Sequence, residues 1–420
     1  MTDAQRLPGP LTGLRILELA DEKGQFCGKL LGDLGADVIK IEPPGGEAAR
    51  RVEPFLNDMP HPERSLPFWY YNTSKRGITL NLETADGRQL FQRLAATADV
   101  ILETFRPGFL AALGLGYDVL HAQHPGLIMC ALTPFGQTGP WRDYVTADLL
   151  HMAAGGEMAS CGYDATDVPD APPIAPGGGN AWHMGCHYAY IAIMAALVYR
   201  TVSGRGQYID VSIHEACALT TESAIANYIY RGEVLQRHTG RHHAAGPSPR
   251  TQFRSKDGKY VTALVAGRLT PRYVKDLAAL LDHYGMAGDL HDAKYQDQQV
   301  IEANRDHIID DLVGNFIASL PAEEVYHAAQ DRGFTWAAVR APEELLDDGH
   351  LQDRGFWKQV EHPELGRSFV YPGEAAIYNG SPWHISRRAP LIGEHNVEIF
   401  CEELGLSRQE FALLAESQAV

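Results

Sequence analysis

Residues 14–42 read LRILELADEKGQFCGKLLGDLGADVIKIE, and this stretch decides the fold of the first part of the chain. Residues 14–19 alternate like a β-strand, and residues 24–34 have helical character. Gly35 is a favourable C-cap for that helix, and Val38–Ile41 follows as a second short strand. A strand, a helix and a strand at this spacing are typical of a right-handed βαβ unit.

The same pattern recurs further along the chain. Ile78–Leu82 predicts a strand, and Thr84 can cap a following helix at Ala85–Ala96. Val100–Glu103 and Ile128–Leu132 predict two more short apolar strands. Alternating strands and helices of this kind predict an α/β protein with a Rossmann-like, doubly wound parallel sheet.

Composition and charge exclude several classes of function. The chain has 420 residues and a formal net charge of −17, which is unsuited to a nucleic-acid partner. The first ten residues lack a signal-peptide pattern, and no apolar run approaches the roughly 18 residues of a membrane helix. The six cysteines form no CxxC pair, so we expect free thiols. We therefore expect a cytoplasmic protein with no membrane partner.

Eight short motifs stand in order over nearly the whole chain. They are Leu11–Leu19, Leu34–Gly46, Asn72–Leu82, Glu103–Gly108, Phe135–Pro140, Arg200–Gln207, Ala389–His395 and Glu403–Leu406. Together they resemble the family III CoA-transferases, the group that includes formyl-CoA:oxalate and carnitine CoA-transferases and the 2-methylacyl-CoA racemases.

The resemblance implies a domain arrangement. The large domain would be Rossmann-like and built from both chain ends, residues 1–215 and 331–420. Residues 216–330 would form a linker helix, which we expect at Glu215–Arg231, and a smaller middle domain. Two subunits would interlock as a dimer, with each active site between the large domain of one subunit and the small domain of the other.

The resemblance also implies a chemistry. An Asp carboxylate attacks the donor thioester to give a mixed anhydride, CoA thiolate forms an aspartyl-CoA thioester, and the acceptor acid opens it. Coenzyme A therefore takes part as the substrate acyl-CoA. We expect no metal and no redox nucleotide, since Gly177–Gly179 lacks both the GxGxxG spacing and a P-loop lysine.

The position of the nucleophile is the main departure from the family pattern. The family Asp lies about fifteen residues before the Leu of an Ala-Ala-Leu helix core, which is Leu197 here. Counting back reaches Trp182, and no Asp or Glu lies between Pro176 and Leu197. The candidate substitutes are His183, as nucleophile or base, and Glu157. A helix cap or a structural contact is the alternative role for His183.

Contacts to CoA are the second expectation carried by the resemblance. The implied residues are Lys23, Leu80, Thr104, Phe105, Arg106 and Leu113. Arg106 lies in a turn after a predicted strand, where it either pairs with a CoA phosphate or is a surface arginine. Two departures stand nearby: Gly24-Gln25 replaces a Gly-Pro turn, and Glu83 replaces a residue that is commonly basic.

Asp148 lies where the racemases of the family carry a His-Asp pair. Thr146-Ala147 replaces the expected Gly-His, so we do not expect racemase proton transfer. We predict instead a structural or helix-capping role for Asp148.

Three functions are consistent with this sequence. The first is a nucleophile-lacking subunit of a hetero-oligomeric enzyme such as succinyl-CoA:benzylsuccinate CoA-transferase, with the Asp on a paralogous partner subunit. Trp141, Tyr144 and Trp182 suggest an aromatic or bulky acceptor acid. The second is a homodimeric CoA-ester isomerase, lyase or altered transferase that uses His183 or Glu157. The third is a non-catalytic CoA-binding scaffold. We favour the first, because a partner that keeps the Asp explains most simply a retained fold with a lost nucleophile.

Overall fold

The computed structural model describes residues 7–164, 167–221, 223–241, 243–246, 248–265 and 269–420. The chain forms two compact units. The first contains the residues up to Gly155 together with Gly177–Thr220 and Gly349–Val420, and the second contains Gly156–Pro176 and Thr221–Asp348. The division into segments 1–215, 216–330 and 331–420 stays a sequence-based prediction, as does the interlocked dimer.

A six-stranded parallel sheet organises the first unit. Its strands are β1 (Arg15–Leu19), β2 (Asp37–Glu42), β3 (Lys75–Thr79), β4 (Val100–Glu103), β5 (Ile128–Thr133) and β6 (Tyr208–Ser212). The spatial order is β3-β2-β1-β4-β5-β6, with every neighbouring pair parallel. This is the strand order of the Rossmann fold, and it confirms the predicted α/β class and parallel sheet.

Among the described residues of the first unit up to Thr220, eight α-helices accompany these strands. They are α1 (Gln25–Asp33), α2 (Leu66–Tyr71), α3 (Ala85–Ala95), α4 (Phe109–Ala112), α5 (Tyr117–Gln123), α6 (Asp148–Ala154), α7 (Asn180–Ser203) and α8 (Ile213–Leu219). The Thr84 hydroxyl accepts a hydrogen bond from the Gly87 N–H at 3.0 Å, which confirms the predicted cap of α3. Two 3-10 helices, Ala48–Arg51 and Leu56–Asp58, precede α2.

Strand β3 begins at Lys75, three residues before the predicted start at Ile78. The sequence pattern did not predict this start because the first two side chains of the strand are charged. Lys75 and Arg76 read as too polar for a buried strand. In the structure the Lys75 ammonium lies 2.7 Å from the Glu18 carboxylate, and Arg76 pairs with Asp37 at 2.5 Å and with Glu398 at 2.7 Å. These partners come from other parts of the chain, and they allow the two positive charges to be buried.

The second unit contains its own small sheet and helices. Its strands β7 (Gln252–Arg254), β8 (Tyr260–Ala263) and β9 (Trp336–Val339) are antiparallel in the order β7-β8-β9. Its α-helices are α9 (Ala224–Arg231), α10 (Pro271–Asp282), α11 (Gln298–Ala303), α12 (Gly314–Ser319) and α13 (Ala322–Gln330). The remaining helical segments are 3-10 helices at Glu157–Ser160, Ala293–Gln296 and Pro342–Asp347, and a π-helix at His307–Val313. A single apolar core, with Trp336 and Phe316 fully buried, lies between the sheet and these helices.

The C-terminal segment returns to the first unit. It contains α14 (Gly349–Asp353), an antiparallel pair β10 (Trp357–His362) and β11 (Arg367–Pro372), a 3-10 turn Pro363–Leu365, a π-helix Val397–Glu403, and α15 (Arg408–Glu416). Ile399 and Phe400 of the π-helix are buried in the same apolar cluster as Ile39, Ile101 and Phe91. The C-terminal segment thus completes one face of the parallel sheet.

The predicted linker helix at Glu215–Arg231 is wrong as a continuous element. The structure has two helices in its place, α8 ending at Leu219 and α9 beginning at Ala224. The Thr220 hydroxyl donates to the Cys217 carbonyl oxygen at 2.8 Å, so this side chain satisfies a helix-end acceptor. Threonine favours such local bonds over helix continuation, which accounts for the break.

Helix α7 is the longest helix of the described chain. By length and composition it is apolar enough to cross a membrane, with 39% of its most apolar window buried. The core helices of globular proteins meet the same criterion. Helix α7 packs against α1, α6, α8 and strand β5, so it is a structural centre of the first unit.

Candidate active site

A cavity of about 360 Å³ opens beside the first turn of α7. Its wall is formed by the turn before α1, by α1, by α2 and by the glycine-rich segment that leads into α7. The lining residues are Glu22, Gln25, Phe26, Ala49, Val52, Pro67, Tyr70, Tyr71, Gly178, Gly179, Trp182 and His183. Trp182 and His183, which the sequence places where the family nucleophile is expected, therefore both line one cavity.

The start of α7 is fixed by a residue from another helix. Gly179 precedes α7 with φ +69°, a left-handed conformation that favours glycine, and it offers no side-chain cap. Instead, the Asp148 carboxylate accepts a hydrogen bond from the Ala181 N–H at 2.8 Å. A carboxylate at a helix N-terminus pairs with free N–H groups and with the positive end of the helix dipole. The predicted capping role of Asp148 is confirmed.

The first turn of α7 carries no carboxylate. Trp182 occupies the position counted for the nucleophile, and its ring meets the ring of His151 edge-on at 5.6 Å. Of the described residues that line the cavity, Glu22 is the one carboxylate, and it is exposed in the turn before α1. Glu22 is not one of the predicted site residues, although it stands next to the Gly24-Gln25 turn, which the family resemblance associates with CoA.

His183 and Tyr71 form a hydrogen-bonded pair in the cavity wall. The Tyr71 hydroxyl lies 2.8 Å from His183 Nε2, and the His183 ring packs 4.4 Å from the ring of Phe26. Burial, together with the nearby His187, lowers the pKa of His183. The imidazole is therefore uncharged at neutral pH and can accept or relay a proton. Tyr71 was not identified from the sequence, because its partner lies 112 residues away along the chain.

Gln25 is held by a chain of buried polar groups behind the cavity. Its Oε1 accepts from Asn72 Nδ2 at 2.9 Å, and Asn72 Oδ1 accepts from Lys75 Nζ at 2.8 Å. Lys75 also donates to the Gln25 carbonyl oxygen at 2.8 Å and pairs with Glu18. Burial lowers the pKa of Lys75 to about 8, while the Glu18 carboxylate opposes that shift. The start of α1 is thus tied to strands β1 and β3 by a buried ion pair.

Glu157, the second predicted substitute, belongs to the second unit. It begins the 3-10 helix Glu157–Ser160 and is not among the residues that line this cavity. Its use in catalysis stays a prediction.

A second cavity, of about 440 Å³, lies at the carboxyl ends of β1, β2, β3 and β4. This is the edge at which Rossmann-like sheets bind ligands. Its apolar wall contains Leu19, Ile41, Leu80, Leu82, Phe105 and Phe109, and its polar wall contains Glu42, Asn81 and Glu83. Leu80 and Phe105, two of the predicted CoA contacts, lie here, and Phe105 packs 4.6 Å from Phe109. An apolar slot of this kind suits a flat adenine ring.

The other predicted CoA contacts lie in different surroundings. The Thr104 hydroxyl donates to Asp21 Oδ1 at 2.9 Å, and Lys23 pairs with the same carboxylate, so both side chains are engaged within the chain. Leu113 is half-buried against the apolar core of the first unit. The Arg106 guanidinium is exposed and has no ion-pair partner among the residues that the structure describes. Its contact with a CoA phosphate stays a prediction.

A metal site was not expected from the sequence. Within the described ranges, no group of three or more His, Cys, Asp or Glu side chains is arranged to hold a metal ion. All six cysteines are free thiols, as predicted.

Comparison with known proteins agrees with this architecture. The sequence model of CoA-transferase family III matches residues 11–396. The chain is 32% identical to succinyl-CoA–D-citramalate CoA-transferase from Chloroflexus aurantiacus, over 99% of this chain and 100% of that protein. It is also 32% identical to subunit BbsE of succinyl-CoA:(R)-benzylsuccinate CoA-transferase from Thauera aromatica, over 92% of this chain and 93% of that subunit. A solved CaiB/BaiF family protein from Brucella suis matches with a TM-score of 0.79 and 27% identity, over 94% of this chain and 99% of that one. This protein belongs to CoA-transferase family III.

Proposed function

We propose that this chain is the nucleophile-lacking subunit of a hetero-oligomeric CoA-transferase, and that a paralogous partner subunit supplies the catalytic Asp. One observation carries the proposal. The first turn of α7 presents Trp182 and His183 to the cavity, and the acidic residue bonded to this turn, Asp148, is engaged as a helix cap. The Asp148 carboxylate is held by the Ala181 N–H and does not line the cavity, so in this proposal it does not take the place of the nucleophile.

The chemistry then divides between two chains. The partner's Asp attacks the donor thioester, which releases CoA thiolate and leaves an acyl-aspartyl anhydride. The thiolate attacks the aspartyl carbonyl and releases the donor acid, and the acceptor carboxylate then attacks the resulting aspartyl-CoA thioester. The released thiolate finally attacks the acceptor carbonyl of the second anhydride, which yields the new acyl-CoA and regenerates the Asp. This chain would contribute binding surface to that cycle.

We propose succinyl-CoA as donor and an aromatic or dicarboxylic acid such as benzylsuccinate as acceptor. Both relatives described above use succinyl-CoA by name, and one of them acts on (R)-benzylsuccinate. The cavity beside α7 supports an aromatic acceptor, because Phe26, Tyr70 and Trp182 line it. Leu80, Phe105 and Arg106 are our proposed contacts to CoA in this chain.

The surface of α7 supports a partner subunit. Ile191, Val198 and Val202 on this helix are 59%, 64% and 87% exposed. Large apolar residues exposed together on one helix are typical of an interaction surface. A paralogous subunit with the same fold is the partner that we propose for it.

A reconstitution experiment tests this function. The chain would be purified alone and together with the paralogous subunit that copurifies with it from its source, and CoA transfer from succinyl-CoA to (R)-benzylsuccinate would be measured. We expect no transfer by the chain alone and transfer by the pair. Hydroxylamine added during turnover should convert one Asp of the partner to a hydroxamate and leave this chain unlabelled. Transfer by the chain alone, or a hydroxamate on this chain, contradicts the proposal.

One observation favours a second function. His183 is uncharged at neutral pH, is hydrogen-bonded to Tyr71, and lies in the cavity, as a general base would. A homodimeric CoA-ester isomerase, lyase or altered transferase that uses His183 would lose its activity in a His183→Gln variant. In the heteromeric enzyme the same variant should keep at least about a tenth of the rate, since removal of a general base costs roughly 100-fold or more. A non-catalytic CoA-binding scaffold would bind CoA but show no turnover with any partner.

A further inference from the structure

Gln25 carries an unused hydrogen-bond donor at the wall of the cavity beside α7. The residue is only 3% exposed, and its Oε1 already accepts from Asn72 Nδ2 at 2.9 Å. Its Nε2 has no hydrogen-bond partner among the residues that the structure describes. Nε2 is not among the fully enclosed, unpaired side-chain atoms, and Gln25 lines the cavity, so we infer that its N–H groups face that cavity. A buried amide that leaves two N–H groups unsatisfied costs free energy unless a ligand or water accepts from them.

The orientation of this amide is fixed by its neighbours. Asn72 Nδ2 donates both to Gln25 Oε1 and to the Phe68 carbonyl oxygen, so the Asn72 amide cannot be reversed without loss of both bonds. Asn72 Oδ1 in turn accepts from Lys75, which has donors only. The Lys75 ammonium therefore determines the orientation of the Asn72 amide, and Asn72 determines the orientation of the Gln25 amide. The Gln25 oxygen points toward Asn72, and its nitrogen points toward the cavity.

The same position is a departure from the family pattern. Gln25 stands where the family has proline in a Gly-Pro turn, and proline has neither a side-chain donor nor a backbone N–H. The side-chain donor is therefore a departure from that pattern. A donor that faces a cavity suits the recognition of a ligand with an acceptor atom.

The surroundings of the donor define the ligand. Phe26, Tyr70 and Trp182 provide aromatic surface in the same cavity, and the Tyr71–His183 pair provides further polar groups. Glu22 is exposed, so its charge is solvated and screened rather than buried against the ligand. A ligand that fits such walls has an aromatic ring and an oxygen acceptor, and a carboxylate is the strongest such acceptor.

We propose that Gln25 binds and positions the acceptor acid, by donating from Nε2 to an oxygen of the carboxyl group of an aryl-substituted carboxylic acid. The oxygen belongs to the free acid before transfer or to its CoA thioester after transfer, and the chemistry of recognition is the same. The identity of the acid rests on the proposed function, whereas the donor role rests on the geometry of Gln25.

The test exchanges the donor for an acceptor. A Gln25→Glu variant keeps an oxygen for Asn72 and replaces Nε2 by a second oxygen. Binding of (R)-benzylsuccinate, its amide analogue and benzylsuccinyl-CoA would be measured by calorimetry on the full chain, with any subunit that copurifies. Gln409→Glu makes the same chemical change on the exposed first turn of α15 and is the matched control.

We expect Gln25→Glu to weaken binding of the free acid by about tenfold to a hundredfold. The substitution removes a hydrogen bond to a charged group and adds repulsion between two carboxylates. The amide analogue should bind Gln25→Glu at least as tightly as wild type, because its own N–H can donate to the new oxygen. A merely structural defect would weaken binding of the acid and of the amide equally. If only the binding of benzylsuccinyl-CoA is weakened, the hydrogen bond is assigned to the thioester oxygen, which supports the donor role.

Two results would overturn the proposal: equal affinity of wild type and Gln25→Glu for every ligand, or equal weakening of the acid and the amide. Absence of any binding by wild type would overturn it as well. Failure of the proposed function looks different. In that case the reconstituted pair transfers no CoA, while the chain still distinguishes the acid from the amide through Gln25.

Discussion

The contact between Gly28 and Glu18 gives the sharpest stability prediction. Gly28 lies within α1 and faces the Glu18 carboxylate on β1, which is fully buried. A Cβ added at Gly28 would lie 1.6 Å from Glu18 Oε2, 2.7 Å from its Cδ and 3.1 Å from Lys75 Nζ. No pair of atoms tolerates the first two distances, so a Gly28→Ala variant must displace the Glu18 carboxylate.

The magnitude follows from what that carboxylate binds. Glu18 Oε1 accepts from Lys75 at 2.9 Å and from Lys40 at 3.1 Å, and Oε2 lies 2.7 Å from the Lys75 ammonium as an ion pair. All three side chains are completely buried. Breaking a buried ion pair by removing one partner costs about 3–5 kcal/mol. Replacement of glycine by alanine within a helix stabilises the folded state by about 1 kcal/mol. We therefore expect Gly28→Ala to lose about 2–4 kcal/mol of unfolding free energy, a large share of the roughly 5–15 kcal/mol of a typical domain.

Urea unfolding followed by circular dichroism measures this loss. Gly314→Ala is the matched control, because Gly314 begins α12 and an added Cβ would be 3.5 Å from the Phe253 ring, an ordinary contact. That control should be as stable as wild type or gain up to about 1 kcal/mol. If Gly28→Ala unfolds at the same urea concentration as wild type with the same slope, the buried ion pair does not constrain α1 and the reasoning fails.

Three further predictions concern the cap of α7, the buried Glu103 of the sheet and the exposed Arg106. Asp148→Ala should lower the unfolding free energy by about 1 kcal/mol, because the cap of α7 is lost. Asp148→Asn keeps an acceptor and should restore most of that loss, which urea unfolding of both variants would measure. Glu103 is buried, and burial raises its pKa from 4.5 to about 8. The folded state therefore holds the Glu103 proton more tightly than the unfolded state, so its contribution to stability is present below pH 4.5 and is lost as the pH rises toward 8, by at most about 5 kcal/mol. Glu103→Gln should flatten the decline in thermal midpoint between these pH values, and an unchanged decline would contradict the assignment. Arg106→Ala should weaken binding of CoA by roughly threefold to tenfold at low salt and by less at high salt, because an exposed ion pair contributes about 1 kcal/mol and is screened by salt. Titrations of CoA at two salt concentrations test this expectation. An equal loss of affinity at both concentrations would argue against a phosphate contact.

The elements of the sheet domain were largely predictable because they depend on local pattern. The first βαβ unit, the Thr84 cap and the strand at Val100–Glu103 were recognised from periodicity and turn residues, and the structure confirms them. The start of β3 was not predicted, since Lys75 and Arg76 enter a strand only when distant carboxylates neutralise them. Burial of charge depends on partners, and a local reading of the sequence cannot see partners.

The candidate site shows the same division. The lack of a carboxylate at Trp182 and the capping role of Asp148 were predicted by comparing short segments with the pattern that the family resemblance implies. Glu22, Gln25 and Tyr71 were not identified as site residues, although each lines the cavity beside α7. Tyr71 comes from α2 and meets His183 only in the folded chain, 112 residues apart in sequence.

The sequence by itself therefore determined the class of fold, the family resemblance and the lack of a carboxylate between Pro176 and Leu197, because each depends on adjacent or regularly spaced residues. Tertiary structure alone decided which polar groups are paired and which remain free. The Nε2 of Gln25 faces the cavity because Asn72 holds its Oε1, and Asn72 is held by Lys75, which is held by Glu18. A hydrogen bond depends on the positions of two atoms in space, and those positions exist only once the strands and helices have packed.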